Sequence, residues 1–335
     1  MSPRLRNLAY LISFFPAVIT IYGNLHGSWY SWLNFIFILF FLGILEHFTG
    51  TSNANEHSSA RDSFPELILF GHVLSHTAGI VSLFFGIRQG ILEGPWLVGA
   101  ILSTGVAAGS SGIIIAHELI HKINPIKRIL GRYLLASTGN FYFYVHHLRI
   151  HHRDVATDQD AATARKGETL YAFFLRSVRE QVKQSVAAEF KISGKGFWYV
   201  GNEVFKSLLL VTAVAASAYL YSGLTGLLSW LLMCLFANFL LEYVNYIEHY
   251  GLKRTPDTRV NEWHSWSCDK YISRFLLIDL SRHADHHNIA SKPYHTLKSY
   301  PEGPKLPGGY ASLFLPALIP AWWFRITHPL LKKME

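Results

Sequence analysis

The chain has 335 residues, of which 50% are hydrophobic and 16% charged, and its formal net charge is +8. This composition is too apolar and too lightly charged for an ordinary soluble enzyme. Segments lying against an anionic membrane surface account for the positive charge. Because no nucleic-acid-binding motif accompanies that charge, we do not expect nucleic acid as a partner.

Long apolar runs predict helices that cross a membrane, since most approach the length of about 20 residues that a bilayer requires. The six predicted spans are residues 8–22, 30–48, 66–87, 95–116, 204–222 and 226–247. The first is the weakest because it is short and contains Pro16; a signal peptide is the alternative, but no small-residue cleavage site follows it. We therefore expect an all-α integral membrane protein that forms a single domain over residues 1–335.

The distribution of Lys and Arg predicts the orientation of these spans. Arg4 and Arg6 precede the first span, which places the N-terminus on the cytoplasmic side. Six crossings then place the segment 122–203 and the tail after Tyr250, which carry most of the Lys and Arg, on that same side. Both termini of the multi-pass chain are thus expected to be cytoplasmic.

Nine histidines fall in four groups with helical spacing. The groups are HELIHK (His117, His121), HHLRIHH (His147, His151, His152), EHYG (His249) and RHADHH (His283, His286, His287). Neutral imidazole is the commonest protein ligand for borderline transition metals. The fourth and sixth predicted spans both deliver histidine to the cytoplasmic membrane edge, so all four groups can meet there. The pattern predicts a polynuclear metal site.

The second group suggests how two metals are shared. His151 and His152 are adjacent, so their imidazoles diverge by about 100° on a helix and each can serve a different metal. His146 points away from the face of His147 and His151, and we expect it to contact a lipid headgroup, a carboxylate or solvent. Metal-bound histidines usually donate their second N–H to a carboxylate or a carbonyl. The candidate carboxylates are Glu118, Asp160, Glu248 and Asp285, each of which can instead be a solvated or helix-capping group.

Four other histidines and two further segments have predicted roles outside the metal site. His72 and His76 lie within a span, where an interhelical hydrogen bond is expected, and neither they nor His47 and His57 are expected to bind metal. The small residues of GVAAGSSG (Gly105–Gly112) allow close helix packing or leave room for a slender apolar substrate. The tail with Trp322 and Trp323 suits a segment in the membrane interface or a short re-entrant hairpin.

The donor set restricts the metal. An all-nitrogen site does not suit Mg²⁺ or Ca²⁺, which prefer oxygen. HELIH is also the zincin pattern, with Glu118 as general base, so an intramembrane zinc protease stays an alternative, although nine histidines exceed its three ligands. Zinc has no redox chemistry, and a histidine-rich site fed by an apolar interior suits iron that activates O₂ against a C–H bond.

HELIHK, the HxxxHH form within HHLRIHH, NYIEHYGL and LSRHADHH resemble the histidine boxes of the membrane alkane 1-monooxygenases and the related xylene monooxygenases. The resemblance covers nearly all of residues 95–330 and includes KLPGGY and IPAWWFR in the tail. The element NY-x-EHYG separates this family from fatty-acid desaturases and sterol hydroxylases. One position departs from the pattern: the family usually has Glu before the first histidine of the second box, where this chain has His146.

The resemblance implies terminal hydroxylation of medium-chain alkanes in a bacterial inner membrane, at a non-haem centre of two iron ions. By position, the ligands are His117, His121, His147, His151, His152, His249, His283, His286 and His287. Electrons are expected from a separate rubredoxin and its NAD(P)H-dependent reductase, because Cys234 and Cys268 form no CxxC pair. The cations expected to steer this acidic donor are Lys122, Lys127, Arg128 and Arg149. A fatty-acyl or aryl-methyl hydroxylase or desaturase of the same superfamily remains the alternative.

Overall fold

The computed structural model describes residues 3–55 and 63–334. Within these residues the chain is helical, and its extended pairing consists of two isolated β-bridges, Thr51 with Lys270 and Ser267 with Lys305. The expectation of an all-α protein is therefore confirmed. His57 lies outside the described residues.

Five helices in the described part of the chain are long and apolar enough to cross a membrane. They are α1 (Leu5–His26), α2 (Ser28–Phe48), α3 (Ser63–Arg88), α4 (Gly94–Ile120) and, further along, α8 (Glu203–His249). Further helices lie between and after them. These are α5 (Pro125–Ser137), α6 (Phe143–His146 continuing through His147–His151 and His152–Asp154), α7 (Leu170–Ser193), α9 (Tyr271–Leu276), α10 (His283–Asn288), α11 (Phe314–Leu318) and α12 (Pro320–Lys332).

Helix α8 contains a break that divides it into two halves. Gly223 has φ 67° and ψ −161°, a backbone conformation that only glycine adopts without strain. The helix has 47 residues, which at about 1.5 Å per residue would extend about 70 Å, far beyond a hydrocarbon core of about 30 Å. The break lies between the predicted spans 204–222 and 226–247. The length of α8 fits a multi-pass membrane protein, while the count of six crossings and their orientation stay predictions.

The beginning of α12 packs against the C-terminal end of α8. Trp323 is fully buried, and its ring centroid lies 5.4 Å from those of Tyr246 and Tyr250. Trp322, its neighbour, is 46% exposed. Trp323 thus packs onto the core that supports EHYG, and the placement of the tail in the membrane interface or in a re-entrant hairpin stays a prediction.

Two buried histidines of α3 link this helix to α1, α4 and α5. His72 of α3 lies 2.7 Å from the Ser13 hydroxyl and 3.0 Å from that of Ser111, and His76 lies 2.7 Å from that of Ser137. These are the predicted interhelical hydrogen bonds. His47 is exposed near the end of α2.

Candidate metal centre

The nine predicted histidines converge in two adjoining groups. Group A consists of His117, His121, His147, His152 and His286, and group B consists of His151, His249, His283 and His287. Within each group the available ligand atoms lie within 4.8 Å of one another. The groups touch where the rings of His152 and His287 lie 4.6 Å apart, centroid to centroid.

A π-helical turn in α6 distributes the second histidine box between the groups. Residues His147–His151 form this turn, in which hydrogen bonds run from residue i to residue i+5. The widened turn brings His152, five residues on, over His147, and their Nε2 atoms are 2.9 Å apart. His151 faces group B instead. The prediction that adjacent histidines serve different metal positions fits this arrangement, but the shared face is that of His147 and His152.

The other boxes follow ordinary helical geometry. His283 and His287 are one turn apart on α10 and both belong to group B, with Nε2 atoms 2.9 Å apart. His286 is rotated by about 100° from His287 and faces group A. His249 is the last residue of α8, so this long helix delivers its imidazole directly to group B.

The spacing of the ring nitrogens fits a metal centre. The Nε2 atoms of His121, His147 and His152 form a triangle with sides of 2.9, 2.9 and 3.2 Å. Nitrogen atoms bound at right angles, with bonds of about 2.1 Å, lie about 3.0 Å apart. A neutral imidazole has one N–H, so three mutually adjacent nitrogens cannot all be satisfied by one another. Their lone pairs suit a shared cation.

The protonation state of the histidines agrees with this fit. Burial lowers the pKa of His152, His283, His286 and His287 well below its ordinary value, and the neighbouring imidazoles lower it further. These rings are therefore neutral at pH 7 and keep a lone pair for a metal.

Of the four candidate carboxylates, Asp160 contacts the ring nitrogen of a histidine that points away from the metal centre. Its Oδ2 accepts a hydrogen bond from Nδ1 of His151 at 2.9 Å. This bond orients the ring so that its Nε2 points toward the other histidines of group B. His146 lies on the other side of this carboxylate, 3.9 Å away, and its Nε2 bonds to Gln184 at 3.0 Å. His146 belongs to neither group, in agreement with its predicted orientation.

The three other candidate carboxylates make different contacts. Glu118 pairs with Lys122 and accepts a hydrogen bond from the Tyr294 backbone. Asp285 accepts from the Lys292 ammonium and the Tyr300 hydroxyl. Both carboxylates therefore tie chain segments together, and the described residues show no bond from either to a histidine. The Nδ1 atoms of His152, His286 and His287 are buried without a hydrogen-bond partner among the described residues.

Glu248 lies on the inner side of the site. Its Oε2 is 3.3 Å from Nε2 of His283, the nitrogen that faces group B, and its Oε1 accepts a 2.5 Å hydrogen bond from the Tyr310 hydroxyl. This position differs from the expected one, which would have been beside an Nδ1 atom. Sequence reasoning assigned no role to Tyr310, although its motif KLPGGY had been noted.

An apolar passage leads to the histidines. One cavity of about 110 Å³ lies between α2, α4 and α8 and has Gly109 and Ser110 in its wall. A second, of about 50 Å³, is bounded by His117 and His147 of group A and by His283 of group B. The residues that line both cavities are Ile113, Ile114, Leu241, Val244, Leu277 and Tyr310. The cavities therefore adjoin, and the smaller one faces both groups.

The small residues of Gly105–Gly112 differ in how closely their neighbours pack, and their role in substrate binding stays a prediction. A Cβ added at Gly105 would lie 2.9 Å from Phe236, and one at Gly112 would lie 2.7 Å from His76, so these glycines allow close packing. A Cβ at Gly109 would meet its nearest neighbour, Leu240, only at 3.8 Å. The larger cavity passes this residue.

A helical membrane fold that gathers three histidine boxes and a further histidine at the end of an apolar cavity defines a class of membrane-bound oxidoreductases. The family described as fatty acid desaturase matches residues 94–312, a range that includes all nine histidines. Among curated proteins, alkane 1-monooxygenase 1 of Pseudomonas aeruginosa is 33% identical over 85% of this chain and 79% of its own length.

Two further relatives agree with this match. Alkane 1-monooxygenase 2 of Alcanivorax borkumensis is 31% identical over 94% of this chain and 86% of its own length. The xylene/toluene monooxygenase hydroxylase component of Pseudomonas putida is 26% identical over 76% of this chain and 70% of its own length. The chain belongs to the alkane 1-monooxygenase family, which confirms the resemblance seen in the histidine boxes.

Proposed function

We propose that this protein uses O₂ to hydroxylate the terminal C–H bond of medium-chain alkanes, giving primary alcohols. The reaction balances as RH + O₂ + 2e⁻ + 2H⁺ → ROH + H₂O. The observation that carries the proposal is the apolar cavity that continues into the smaller cavity between the two histidine groups. An unbranched hydrocarbon matches such a passage, because it has no polar group that needs a partner.

Two iron ions are the proposed cofactor, one held by group A and one by group B. All nine histidines would serve as ligands, and iron, when bound, supplies the activation of O₂ that a strong C–H bond requires. Imidazole suits zinc, copper and nickel as well as iron, so the choice of iron rests on the family. Support for a two-ion site comes from the separation of the nine nitrogens into two close groups.

The protein's own residues position the substrate and exclude water. Ile113, Ile114 and Leu277 line both cavities and would hold the chain end-on, with its terminal carbon at the histidines. Their apolar surface keeps water from the site, which limits wasteful release of reactive oxygen. Asp160 holds the His151 ring in place through Nδ1. Glu248 and Tyr310 form the polar part of the wall beside His283.

The family and the charge pattern support a proposal for the membrane and the electron donor of the reaction. We propose a single membrane domain in the bacterial inner membrane, with six crossings and both termini in the cytoplasm. Electrons would come from rubredoxin, reduced by an NAD(P)H-dependent reductase. The relatives support an O₂-dependent reaction on an apolar substrate, since they are named alkane and xylene/toluene monooxygenases.

Metal quantitation combined with product analysis tests the proposal. Purified protein should contain about two iron ions per chain and should convert octane to 1-octanol with O₂, rubredoxin, its reductase and NADH. Hexadecane, xylene and a fatty acid, assayed in parallel, separate the alkane reaction from that of an aryl-methyl or fatty-acyl hydroxylase. Alkene formation without alcohol would contradict the proposal, and one zinc ion with no iron would favour a protease.

A further inference from the structure

Two loops that follow metal-site histidines enclose a polar cavity of about 170 Å³. The first loop, residues 156–166, comes shortly after His151, and the second, residues 251–256, comes directly after His249 and Tyr250. Backbone hydrogen bonds join them, from the Gly251 N–H to the Ala164 carbonyl and from the Arg254 N–H to the Ala156 carbonyl. The walls of this cavity are therefore continuous with two residues of group B.

The cavity carries an excess of positive charge. Its charged lining consists of Arg165, Lys166, Lys253 and Arg254 against Asp158 and Asp160. Arg254 is buried and donates hydrogen bonds to the carbonyls of Val155 and Arg153, and no carboxylate in the described part of the chain forms an ion pair with it. Arg165 and Lys253 are exposed and form no ion pair within residues 3–55 and 63–334. Their charges are available to a partner.

The cations named from the sequence are less available, because the structure gives each of them a partner. The partners are Glu118 for Lys122, Glu66 for Lys127, the Lys122 carbonyl for Arg128, and Glu189 for Arg149. Three of these four positive charges are thus neutralised by a neighbouring carboxylate. The polar cavity is the better candidate for attracting an acidic protein.

A single carboxylate, that of Asp160, connects this cavity to His151 of group B. Asp160 belongs to the cavity lining and bonds to Nδ1 of His151 at 2.9 Å, and the other ring nitrogen of His151 faces group B. Electron transfer weakens steeply with distance, so a carrier protein must approach a ligand of a buried centre closely. A carrier protein at this cavity would approach group B closely, because Asp160 in the cavity wall is hydrogen-bonded to His151.

We infer that the rim of this cavity, formed by residues 156–166 and 251–256, is the docking surface for an acidic one-electron carrier protein. Two carriers in succession would supply the two electrons that the hydroxylation consumes, and each electron would pass Asp160 and His151 to reach the metal ion that group B would hold. This inference rests on the proposed function, which requires an external reductant. Charge complementarity selects the partner, since an acidic surface faces Arg165 and Lys253 in this arrangement.

Charge reversal at the rim tests the inference. The variants are Lys253→Glu and Arg165→Glu, and Lys253→Arg keeps the charge. The matched control is Lys191→Glu, because Lys191 is exposed near the far end of α7, about 32 Å along the helix from Leu170. The first readout is the Kd of oxidised rubredoxin for the purified full-length protein in detergent. The second is the KM for reduced rubredoxin during octane hydroxylation.

Each reversal at the rim should raise the Kd and the KM for rubredoxin about tenfold at low ionic strength, with kcat unchanged. The difference should largely vanish at about 0.5 M salt. Lys253→Arg and Lys191→Glu should bind like the parent protein. Unchanged binding by both rim variants, or an equal loss in Lys191→Glu, would overturn the inference. So would rim reversals that weaken binding to anionic lipid vesicles but not to rubredoxin.

The design separates failure of the docking site from failure of the proposed function. Octane hydroxylation in a single turnover with dithionite as reductant needs no carrier protein, so the rim variants should match the parent in that assay. Absence of octanol from the parent protein with dithionite and with rubredoxin would contradict the proposed function. The Kd comparison would still decide whether the rim binds the carrier.

Discussion

The substitution Gly109→Leu should shorten the longest alkane that the protein accepts. Gly109 lies in the wall of the 110 Å³ apolar cavity, and a Cβ there would be in ordinary contact with Leu240, at 3.8 Å. The Cβ therefore fits without displacing the wall. The three remaining carbon atoms of a leucine side chain would extend into the space that the proposed substrate occupies.

The size of the effect follows from the number of displaced methylene groups. Three carbon atoms exclude about three substrate methylenes, each worth about 0.8 kcal/mol of burial, so about 2.4 kcal/mol is lost. This corresponds to about a 50-fold decrease in kcat/KM for alkanes long enough to reach Gly109. Shorter alkanes should keep their kcat/KM to within about twofold.

Competition among alkanes from hexane to hexadecane, with gas chromatography of the alcohols, measures this profile in one reaction. Gly109→Ala is the matched control, because it adds only the Cβ that the wall accepts. Metal content should equal that of the parent protein in both variants. An unchanged chain-length profile in Gly109→Leu would refute the assignment of this cavity to the substrate, and so would an equal loss for every chain length.

Four further substitutions test the metal site and the long helix. Asp160→Asn should weaken metal affinity about tenfold, because the His151 ring loses its anionic partner; metal content after dialysis against a chelator measures this, and parent-like retention would count against the role. His152→Ala should remove about half of the bound metal, whereas His146→Ala should remove none; elemental analysis compares them, and equal losses would contradict the division into groups. Gly223→Ala should lower the free energy of unfolding by about 1–3 kcal/mol, because alanine is strained at φ 67° and ψ −161°; denaturation in detergent checks this, and an unchanged midpoint would contradict it.

The histidine site was largely predictable from local sequence. Spacings such as those of His283, His286 and His287 define directions on a short helix, and the directions in α10 are those of an ordinary helix. The same reasoning was incomplete for α6, because it assumed a regular helix where the structure has a π turn. No residue pattern in HHLRIHH predicts a π turn, so the sequence does not show that His147 and His152 lie on the same face.

Contacts of the carboxylates and cations were the least predictable feature. Asp160 bonds to a histidine nine residues earlier, but Glu248 bonds to Tyr310, 62 residues away along the chain. Lys127, which the sequence suggested as a free cation for an acidic partner, forms an ion pair with Glu66. Such contacts depend on which segments pack together in the folded chain, and this information cannot be read directly from a single sequence.

Composition and the periodic placement of apolar and imidazole side chains were enough to establish a helical membrane protein with a metal-binding constellation. These are properties of each helix by itself, set by backbone geometry and by the transfer of apolar surface out of water. Tertiary packing decided the rest: which nitrogens share a group, where the apolar passage ends, and which cations stay available to a partner. Packing decides these features because each one depends on distances between segments remote in the chain, and those distances exist only once the helices have assembled.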